Sequence, residues 1–307
     1  MSITSEIERI KTNIANAYTE LENKGATIPT DKNSNNLAST ITTVTGGGGG
    51  GSTPDKGLVF EWDSNGYPTK IKAVGFTDLP EKYLVGNTQI ATSQMDYFYK
   101  SLPEIDLSGV SNSLGISSLQ GITAGSIKLS NTLKKINNSA FYMVNYDKSD
   151  VVINIPESVT EMGTNCFAYS RVVPRNFPNL SSLILPTNTF YYHQSLTSIT
   201  LPSNIMQLSA GCFQRVRTLK EITLLRNGYI SFEANSFNFC DKLEKVVMPN
   251  IDRLPALVNT GAFTSSGIAN KTGYIYVPDE LVESMKTATN WSTYASQIKG
   301  ISELPTE

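Results

Sequence analysis

The amino-acid sequence predicts a β-rich repeat solenoid preceded by a small α-helical module. Three features of the 307-residue chain lead to this fold class. Between residues 141 and 263 a phenylalanine recurs every 23 to 26 residues, and a short apolar pattern recurs between the phenylalanines. A run of six glycines separates this region from an isoleucine-rich N-terminus. Repeats of this length are typical of solenoids, in which each unit buries its apolar face against the next.

Residues 1–45 carry the pattern of a helical module for docking or oligomerisation. Apolar residues alternate at spacings of four and three, which is the apolar seam of a coiled coil. The seam consists of Ile3, Ile7, Ile10, Ile14, Ala17 and Leu21. Gly25 ends this helix, and a second, weaker helix is expected from about residue 31 to 44.

This module needs a partner, because two short helices bury too little apolar surface to be stable alone. Isoleucine at both core positions of the seam favours bundles of three or more helices over pairs. We therefore expect the chain to form a trimer through residues 1–45. An ordinary amphipathic helix that packs only on its own hairpin mate is the alternative.

A flexible linker is expected over residues 46–56. Glycine occupies every position of Gly46–Gly51, and glycine loses more entropy than any other residue in a regular element. As a random coil this run spans roughly 13 Å. The linker should let the regions on either side of it orient independently.

Residues 57–100 are expected to cap the N-terminal end of the solenoid. Two apolar strand patterns, over residues 58–62 and 69–74, flank a turn that contains Asn65 and Gly66. Asparagine followed by glycine between two strands is a strong signal for a β-hairpin. A hairpin at the end of the array would shield a core that otherwise meets water.

The repeats are expected over residues 101–278. Each of six phenylalanines follows a small residue: Ala140-Phe141, Cys166-Phe167, Thr189-Phe190, Cys212-Phe213, Ser236-Phe237 and Ala262-Phe263. Between them recurs the pattern L-x-x-I-x-L, with copies that end at Leu185, Leu201, Leu224 and Met248. We expect one short strand in each coil, with the phenylalanines of successive coils stacked. On this alignment the unit that ends at Phe190 is truncated, since only four residues lead from Pro186 to Phe190.

The full unit, L-x-x-I-x-L-P-x-x-V-x-x-I-x-x-x-A/C-F, resembles the BspA-type leucine-rich repeat of bacterial and phage surface proteins. The resemblance covers roughly residues 100–278. The stretch with Tyr274, Tyr276, Trp291 and Tyr294 resembles the strand and helix that close such arrays, so a helical C-terminal cap is expected over residues 279–307. Residues 1–45 are similar to the short modules that open phage tail or baseplate proteins.

No residue pattern predicts catalysis, a cofactor or a metal. The single histidine, His193, follows Phe190 by three residues, at a position where other repeats carry Ser170 and Val216, so we interpret it as a residue of the repeat. A metal site would need three or four ligands. The three cysteines, interpreted as small buried residues of the repeat, are Cys166, Cys212 and Cys240. An enzyme acting on polysaccharide stays open, because two carboxylates are enough for that reaction.

Charge and hydropathy argue against two kinds of partner. The net charge of −2 provides no excess of basic residues for nucleic acid, whose binding depends on phosphate contacts. No apolar run is long enough to span a bilayer. Charges at Glu6, Glu8 and Arg9 occupy the place of the apolar core of a signal peptide, so we expect no secretion by that route.

Aromatic and arginine side chains that follow the phenylalanines predict a binding face. They are Tyr142, Tyr146, Tyr169, Tyr191, Tyr192 and Phe239, with Arg171, Arg175, Arg215, Arg217 and Arg226. Coils in register would place Tyr169 and Tyr192 about 4.8 Å apart as one aromatic platform. Flanked by Arg171 and Arg215, this platform would suit a glycan or an anionic wall polymer. Packing of half of these tyrosines between coils is the alternative.

These features together predict a structural, non-enzymatic phage tail or baseplate protein, assembled in the host cytoplasm, that attaches to host cells through its repeats. Its partners would be further copies of itself and other tail proteins at the N-terminus, and a host-surface glycan or protein at the repeats. A bacterial cell-surface adhesin of the BspA type is the alternative. An enzyme acting on polysaccharide is the second alternative.

The full chain should be trimeric, and a chain without residues 1–45 should be a folded monomer, because the isoleucine seam is the predicted contact between copies. Light scattering on both proteins measures their masses directly. A monomeric full-length chain would contradict the prediction.

Overall fold

The computed structural model describes residues 12–19, 21–22, 30, 56–62, 68–82, 84 and 102–306. The chain divides into two compact units, residues 1–54 with 62–67 and residues 55–61 with 68–307. In the first unit, residues 12–19 and 21–22 are helical, with Tyr18 buried and with Ile14 and Leu21 half-buried. The predicted seam residues Ile3, Ile7 and Ile10, the second helix and the glycine linker lie outside the described residues and stay predictions.

The second unit is a stack of coils in which each coil contributes strands to two parallel stacks. The first stack contains β1 (Gly57–Trp62), β2 (Pro68–Val74), β4 (Leu102–Leu107), β6 (Ala124–Leu129), β8 (Val151–Ile153), β10 (Val172–Pro174), β12 (Ser198–Leu201), β14 (Glu221–Leu224), β16 (Lys245–Val247), β18 (Tyr274–Val277) and β19 (Ile298–Gly300). The second contains β3 (Phe76–Leu79), β5 (Val110–Leu114), β7 (Lys135–Ile136), β9 (Glu161–Met162), β11 (Ile184–Leu185), β13 (Gln207–Leu208), β15 (Ser231–Phe232) and β17 (Ala256–Leu257). The expectation of one strand per coil was therefore wrong.

Both stacks are interrupted. The first forms three sheets, in the orders β1-β2-β4-β6, β10-β8 and β12-β14-β16-β18-β19. The second forms two sheets, β3-β5-β7-β9 and β11-β13-β15-β17. Because β2 already pairs in parallel with β4, and β3 with β5, the first coil begins at Pro68. The predicted hairpin strands are present as the neighbours β1 and β2, and the residues of their turn lie outside the described ranges.

The register of the first stack places equivalent apolar residues of successive coils side by side. Ile199 of β12 pairs with Ile222, Ile222 with Val246, and Val246 with Ile275. All four side chains point into the core and are buried. Alternation along each strand therefore separates an inner, apolar face from an outer, polar one.

Six phenylalanine rings form a continuous stack through the core. They are Phe141, Phe167, Phe190, Phe213, Phe237 and Phe263, all fully buried. Neighbouring ring centroids are 5.1 to 5.3 Å apart, and neighbouring planes differ by 2° to 9°. The backbone N–H of each of the first five donates to the carbonyl of the small residue before the next ring, as from Phe190 to Cys212 at 2.8 Å. The predicted stacking of the phenylalanines is therefore confirmed.

The backbone adopts a left-handed conformation two residues after each of the six phenylalanines and two residues before each of the first five. Around Phe190, φ is 55° at Asn188 and 53° at Tyr192. The N–H groups of both residues donate to the next coil, to Ala210 at 3.1 Å and to Gln214 at 2.8 Å. A left-handed residue other than glycine costs about 1–2 kcal/mol, which these hydrogen bonds between coils offset.

The left-handed positions after the phenylalanines form a row of side chains that we call the display column. It consists of Met143, Tyr169, Tyr192, Arg215, Phe239 and Ser265. Each has a φ between 53° and 63°, and successive members come from successive coils. The side chains of the display column differ in chemical type, whereas the backbone conformation at these positions is the same. Different side chains can therefore occupy this part of the surface without a change in the fold.

The coil that ends at Phe190 is not truncated. β11, Ile184–Leu185, pairs with β13 in the second stack, whereas the sequence pattern placed it in the first. The first-stack strand of this coil is β10, which pairs with β8. Leu185 precedes Phe190 by five residues, as Leu208 precedes Phe213, and Phe167 precedes Phe190 by 23 residues, as Phe190 precedes Phe213. The coil therefore has its full length, and its first-stack strand comes earlier in the coil.

The C-terminal residues close the stack. They contain an α-helix, Val282–Thr287, between the 3-10 helices Asp279–Leu281 and Trp291–Gln297, with a last turn at Ile301–Glu303. The buried Trp291 ring packs edge-on against Phe232 at 5.5 Å and donates from Nε1 to the Pro255 carbonyl at 2.7 Å. None of the helices within the described ranges has the length and hydropathy of a membrane span.

Phe213→Ala should lower the free energy of unfolding by about 3–5 kcal/mol, because it removes one ring from the middle of the stack and leaves a cavity. Chemical denaturation of the variant and the parent protein measures the difference. Leu225→Ala is a matched control, since Leu225 is 37% exposed and should change stability little. Equal denaturation midpoints for Phe213→Ala and the parent protein would show that the stack does not stabilise the fold.

Candidate binding surface

Five tyrosines cluster on the surface beside the display column. This tyrosine cluster consists of Tyr142, Tyr146, Tyr169, Tyr191 and Tyr192, all half-buried. Tyr169 is its centre, because its ring contacts the other four. Two members, Tyr169 and Tyr192, belong to the display column, and two others, Tyr142 and Tyr191, directly follow a stacked phenylalanine.

The geometry around Tyr169 agrees with the predicted proximity of Tyr192 and adds further contacts. The centroids of these two rings lie 5.2 Å apart, and their planes differ by 23°. Tyr142 and Tyr191 pack edge-on at 5.5 and 5.3 Å, and Tyr146 lies 6.5 Å away. Since Tyr192 stacks on Tyr169 while two other rings pack edge-on against it, the cluster is not one flat aromatic platform.

The Tyr169 hydroxyl at the centre of this cluster is uncharged and available for hydrogen bonding. Partial burial raises the pKa of the Tyr169 hydroxyl above its usual value, and a hydrogen bond with Tyr191 raises it further. Tyr169 is therefore protonated at neutral pH, and it can both donate and accept a hydrogen bond.

The two predicted flanking arginines differ in their availability. Arg171 is engaged by Asp150, with Nη1 2.9 Å from Oδ1, and by Gln194, with Nε 3.1 Å from Oε1. Arg215 is exposed, and its guanidinium lies 5.2 Å from the centre of the Phe239 ring. Among residues 102–306, no carboxylate forms an ion pair with Arg215, so its charge is open to a ligand.

A shallow cleft of about 250 Å³ lies beside the tyrosine cluster. Three arginines and one acidic residue contribute to its walls, which are formed by Asp147, Arg171, Tyr192, His193, Gln194, Arg215, Arg217 and Thr218. Arg217 pairs only loosely with Asp241, at 3.9 Å between two exposed side chains, and such a pair is worth little. Guanidinium groups bind carboxylate, sulfate and phosphate through charge-assisted hydrogen bonds, so this cleft is a candidate site for an acidic group.

A comparison of the residues that occupy the same position in successive repeats would have identified part of this surface. The residues two places after the phenylalanines are the display column, and they include Tyr169, Tyr192 and Arg215. Sequence reasoning missed Gln194 and Thr218, because these side chains reach the cleft only through the coil geometry. It also grouped Arg175 and Arg226 with the other arginines, although neither lines the cleft.

His193 is a fully bonded residue of the core. Its Nε2 lies 3.0 Å from the Val172 carbonyl, and its Nδ1 accepts from the backbone N–H groups of Leu196 at 3.0 Å and Ser195 at 3.3 Å. These partners require the tautomer with the proton on Nε2. The interpretation of His193 as a repeat residue is therefore supported by its burial and its bonding.

The cysteines have the properties of buried, unreactive thiols. Burial raises the pKa of Cys166 to about 12 and raises the pKa values of Cys212 and Cys240 as well. All three are free and buried. Within the described part of the chain, no three histidine, cysteine, aspartate or glutamate side chains come together as a metal site.

Comparison with known proteins connects this architecture to one family. Residues 69–196 and 183–272 match the family described as BspA type leucine-rich repeat region, in six copies. No curated protein matches the chain significantly.

Several solved structures are similar to this chain at low identity. A leucine-rich repeat protein of T. pallidum is 17% identical with a TM-score of 0.39, over 63% of this chain and 91% of that one. A leucine-rich repeat protein from Bacteroides ovatus is 15% identical with a TM-score of 0.36, over 74% and 70%. A leucine-rich cell surface protein from Faecalibacterium prausnitzii is 15% identical with a TM-score of 0.25, over 57% and 59%.

Acid should destabilise the protein partly through His193. Burial lowers the pKa of His193 from 6.5 to about 4, an effect that nearby Asp150 opposes and Arg171 reinforces. The unfolded chain therefore binds the proton first, and stability that is complete above about pH 6.5 is lost as the pH falls towards 4. The loss attributable to this residue is about 3 kcal/mol.

His193→Gln should remove this contribution while keeping a side chain that can donate and accept hydrogen bonds. Unfolding free energies of the variant and the parent protein, measured from pH 7 to pH 4, should fall less steeply for the variant. Parallel curves would show that His193 does not titrate on unfolding.

Proposed function

This chain belongs to the BspA-type leucine-rich repeat family, and from that premise we propose that it is a non-enzymatic, adhesive binding protein of a cell surface. The observation that carries the proposal is the tyrosine cluster beside the unpaired Arg215. Tyrosine and arginine are enriched among residues that dominate binding energy. Here both project from a backbone whose conformation the neighbouring coils hold rigid, so little ordering is needed on binding.

The chemistry of this surface favours an acidic, hydroxyl-rich polymer as the ligand. The tyrosine hydroxyls can exchange hydrogen bonds with sugar hydroxyls, and Arg215 and Arg217 can bind a carboxylate or phosphate in the adjoining cleft. Because successive coils repeat at the spacing of the Phe stack, a polymer running along the solenoid axis meets several of these groups in turn. A glycan or an anionic wall polymer has this composition.

Catalysis by a cysteine nucleophile with a histidine base receives no support from the described residues, whereas an enzyme acting on polysaccharide would use two carboxylates and stays the second alternative. Burial raises the pKa values of all three cysteine thiols, and a nucleophilic cysteine needs the opposite shift. Both nitrogens of His193 are occupied by backbone partners. The binding proposal uses neither group.

A phage tail or baseplate protein is the second candidate, and one observation of the sequence favours it. The isoleucine seam of residues 1–21 followed by Gly46–Gly51 suits a trimeric docking module on a flexible tether. In that case the N-terminus would join other tail proteins, and the repeats would contact the host surface. Co-purification of the protein with phage particles would favour this candidate. Antibody labelling of the protein on the surface of the intact cells that produce it would favour the adhesin.

Replacement of Tyr169 and Tyr192 together by alanine should weaken binding to an immobilised acidic polysaccharide, such as hyaluronan, by at least about 100-fold, the loss of two hot-spot side chains. The fold should persist, because both side chains are half-buried at the surface. Surface plasmon resonance measures binding, and circular dichroism checks the fold.

Tyr229→Ala is the matched control, since Tyr229 is an exposed tyrosine outside the cluster. Immobilised dextran, which carries no charge, tests the contribution of charge. Arg215→Gln should weaken binding to hyaluronan and leave binding to dextran unchanged. A folded double variant that binds as tightly as the parent protein would show that the tyrosine cluster is not the ligand site.

A further inference from the structure

Another cleft, of about 220 Å³, lies on the outer, polar face of the first stack, and we call it the outer cleft. Its lining consists of Pro174, Arg175, Asn176, Ser198, Ile199, Thr200, Glu221 and Thr223. We propose that the outer cleft binds one acidic sugar unit, a hexuronate. This proposal goes beyond the adhesive function of the tyrosine cluster, because the two sites share no residue.

Two neighbouring strands, β12 and β14, form the floor of the outer cleft. Ser198 pairs in register with Glu221, and Thr200 with Thr223. Ile199 is buried, whereas the residues on either side of it are exposed and point outward. Paired strands lie about 4.8 Å apart, and alternate residues of one strand about 6.6 Å apart, so the four outward side chains span a floor comparable in size with one sugar ring.

The outer cleft is a depression in the surface and not an opening between coils. Its β10 side is formed by residues 174–176, and β10 and β12 belong to different sheets. The two coils are nevertheless hydrogen-bonded on both sides of this interruption. The Gln194 N–H donates to the Ser170 carbonyl at 3.0 Å, and the Met206 N–H donates to the Leu183 carbonyl at 2.7 Å.

Charged side chains on the outer face neutralise one another where the ladder is continuous. Lys70 and Glu104 are ladder partners whose charged groups lie 3.0 Å apart. Glu221 and Lys245 are also ladder partners, at 3.3 Å. At the interruption, Arg175 is exposed, and no carboxylate among residues 102–306 forms an ion pair with it. The uncompensated charge in the outer cleft is therefore positive.

The hydroxyl groups of the floor are open to a ligand. Within residues 102–306, the side-chain oxygens of Ser198, Thr200 and Thr223 form no hydrogen bond with another protein group. Each of these hydroxyls can both donate and accept a hydrogen bond, as sugar hydroxyls do. Glu221 adds an acceptor, because Lys245 contacts its Oε2 and leaves Oε1 for a sugar hydroxyl.

A hexuronate is the class of ligand that matches both the charge and the hydroxyls. Its carboxylate suits the guanidinium of Arg175 through charge-assisted hydrogen bonds, and its ring hydroxyls suit the floor. The volume lies below the roughly 300–1,000 Å³ of pockets for drug-sized ligands, so it fits one sugar ring. A free amino acid matches less well, because its ammonium group needs an open carboxylate and Glu221 is already paired with Lys245.

The test is a ligand-detected NMR titration of the full chain with glucuronate and with glucose. Glucuronate should bind at least about ten-fold more tightly, because glucose lacks the carboxylate that Arg175 would bind. Arg175→Gln should abolish this difference and leave glucose binding unchanged. Arg253→Gln is the matched control, since Arg253 is an exposed arginine outside the outer cleft and its loss should change neither affinity.

Two further measurements separate a sugar site from a site for any anion. Thr223→Val removes one hydroxyl of the floor at nearly constant shape and should weaken binding of both sugars several-fold. Acetate, which has the carboxylate but no hydroxyls, should bind at least about ten-fold more weakly than glucuronate.

The Tyr169→Ala, Tyr192→Ala double variant should bind glucuronate as the parent protein does, so the outer cleft and the proposed adhesive surface can fail separately. Equal affinities for glucuronate and glucose, equal affinities for glucuronate and acetate, or undiminished glucuronate binding by Arg175→Gln would each overturn the proposal.

Discussion

The stack of six phenylalanine rings is the interaction on which the rest of the solenoid depends. Each ring lies 5.1 to 5.3 Å from the next, and this spacing is close to the distance between hydrogen-bonded strands. The rings therefore hold successive coils at the separation that both strand stacks need. Because the N–H of the stacked residue also bonds to the next coil, side-chain packing and backbone pairing set the same register.

The left-handed residues that follow the phenylalanines place one side chain per coil at the surface, in the same register as the rings. Their backbone N–H groups turn towards the next coil, and their side chains are left to form the display column. Strained backbone often coincides with functional positions, and here the strain recurs in every coil because the turn requires it. Tyr169, Tyr192 and Arg215 can therefore be exchanged for other residues at little cost to the fold, which suits a family of binding proteins.

His193 connects the cleft beside the tyrosine cluster to strand β10 of the neighbouring coil. Its position in the repeat normally holds a smaller side chain such as Val216 or Cys240, and its ring instead reaches across to bond the Val172 carbonyl. That bond occupies a carbonyl of β10, at the point where the first stack is interrupted before β12. The same side chain also lines the cleft of about 250 Å³ beside Tyr192.

The sequence by itself determined the repeat, the buried phenylalanine and small-residue positions, and the proximity of Tyr169 to Tyr192, because each depends only on the spacing of residues along the chain. It could not assign Ile184 and Leu185 to the second stack, since the same apolar pattern suits either strand of a coil. The pairing of Arg171 with Asp150, the open charge of Arg215 and the interruption at β10 were decided by the tertiary structure alone. Each of them depends on which backbone and side-chain groups of neighbouring coils face one another, and residue spacing does not carry that information.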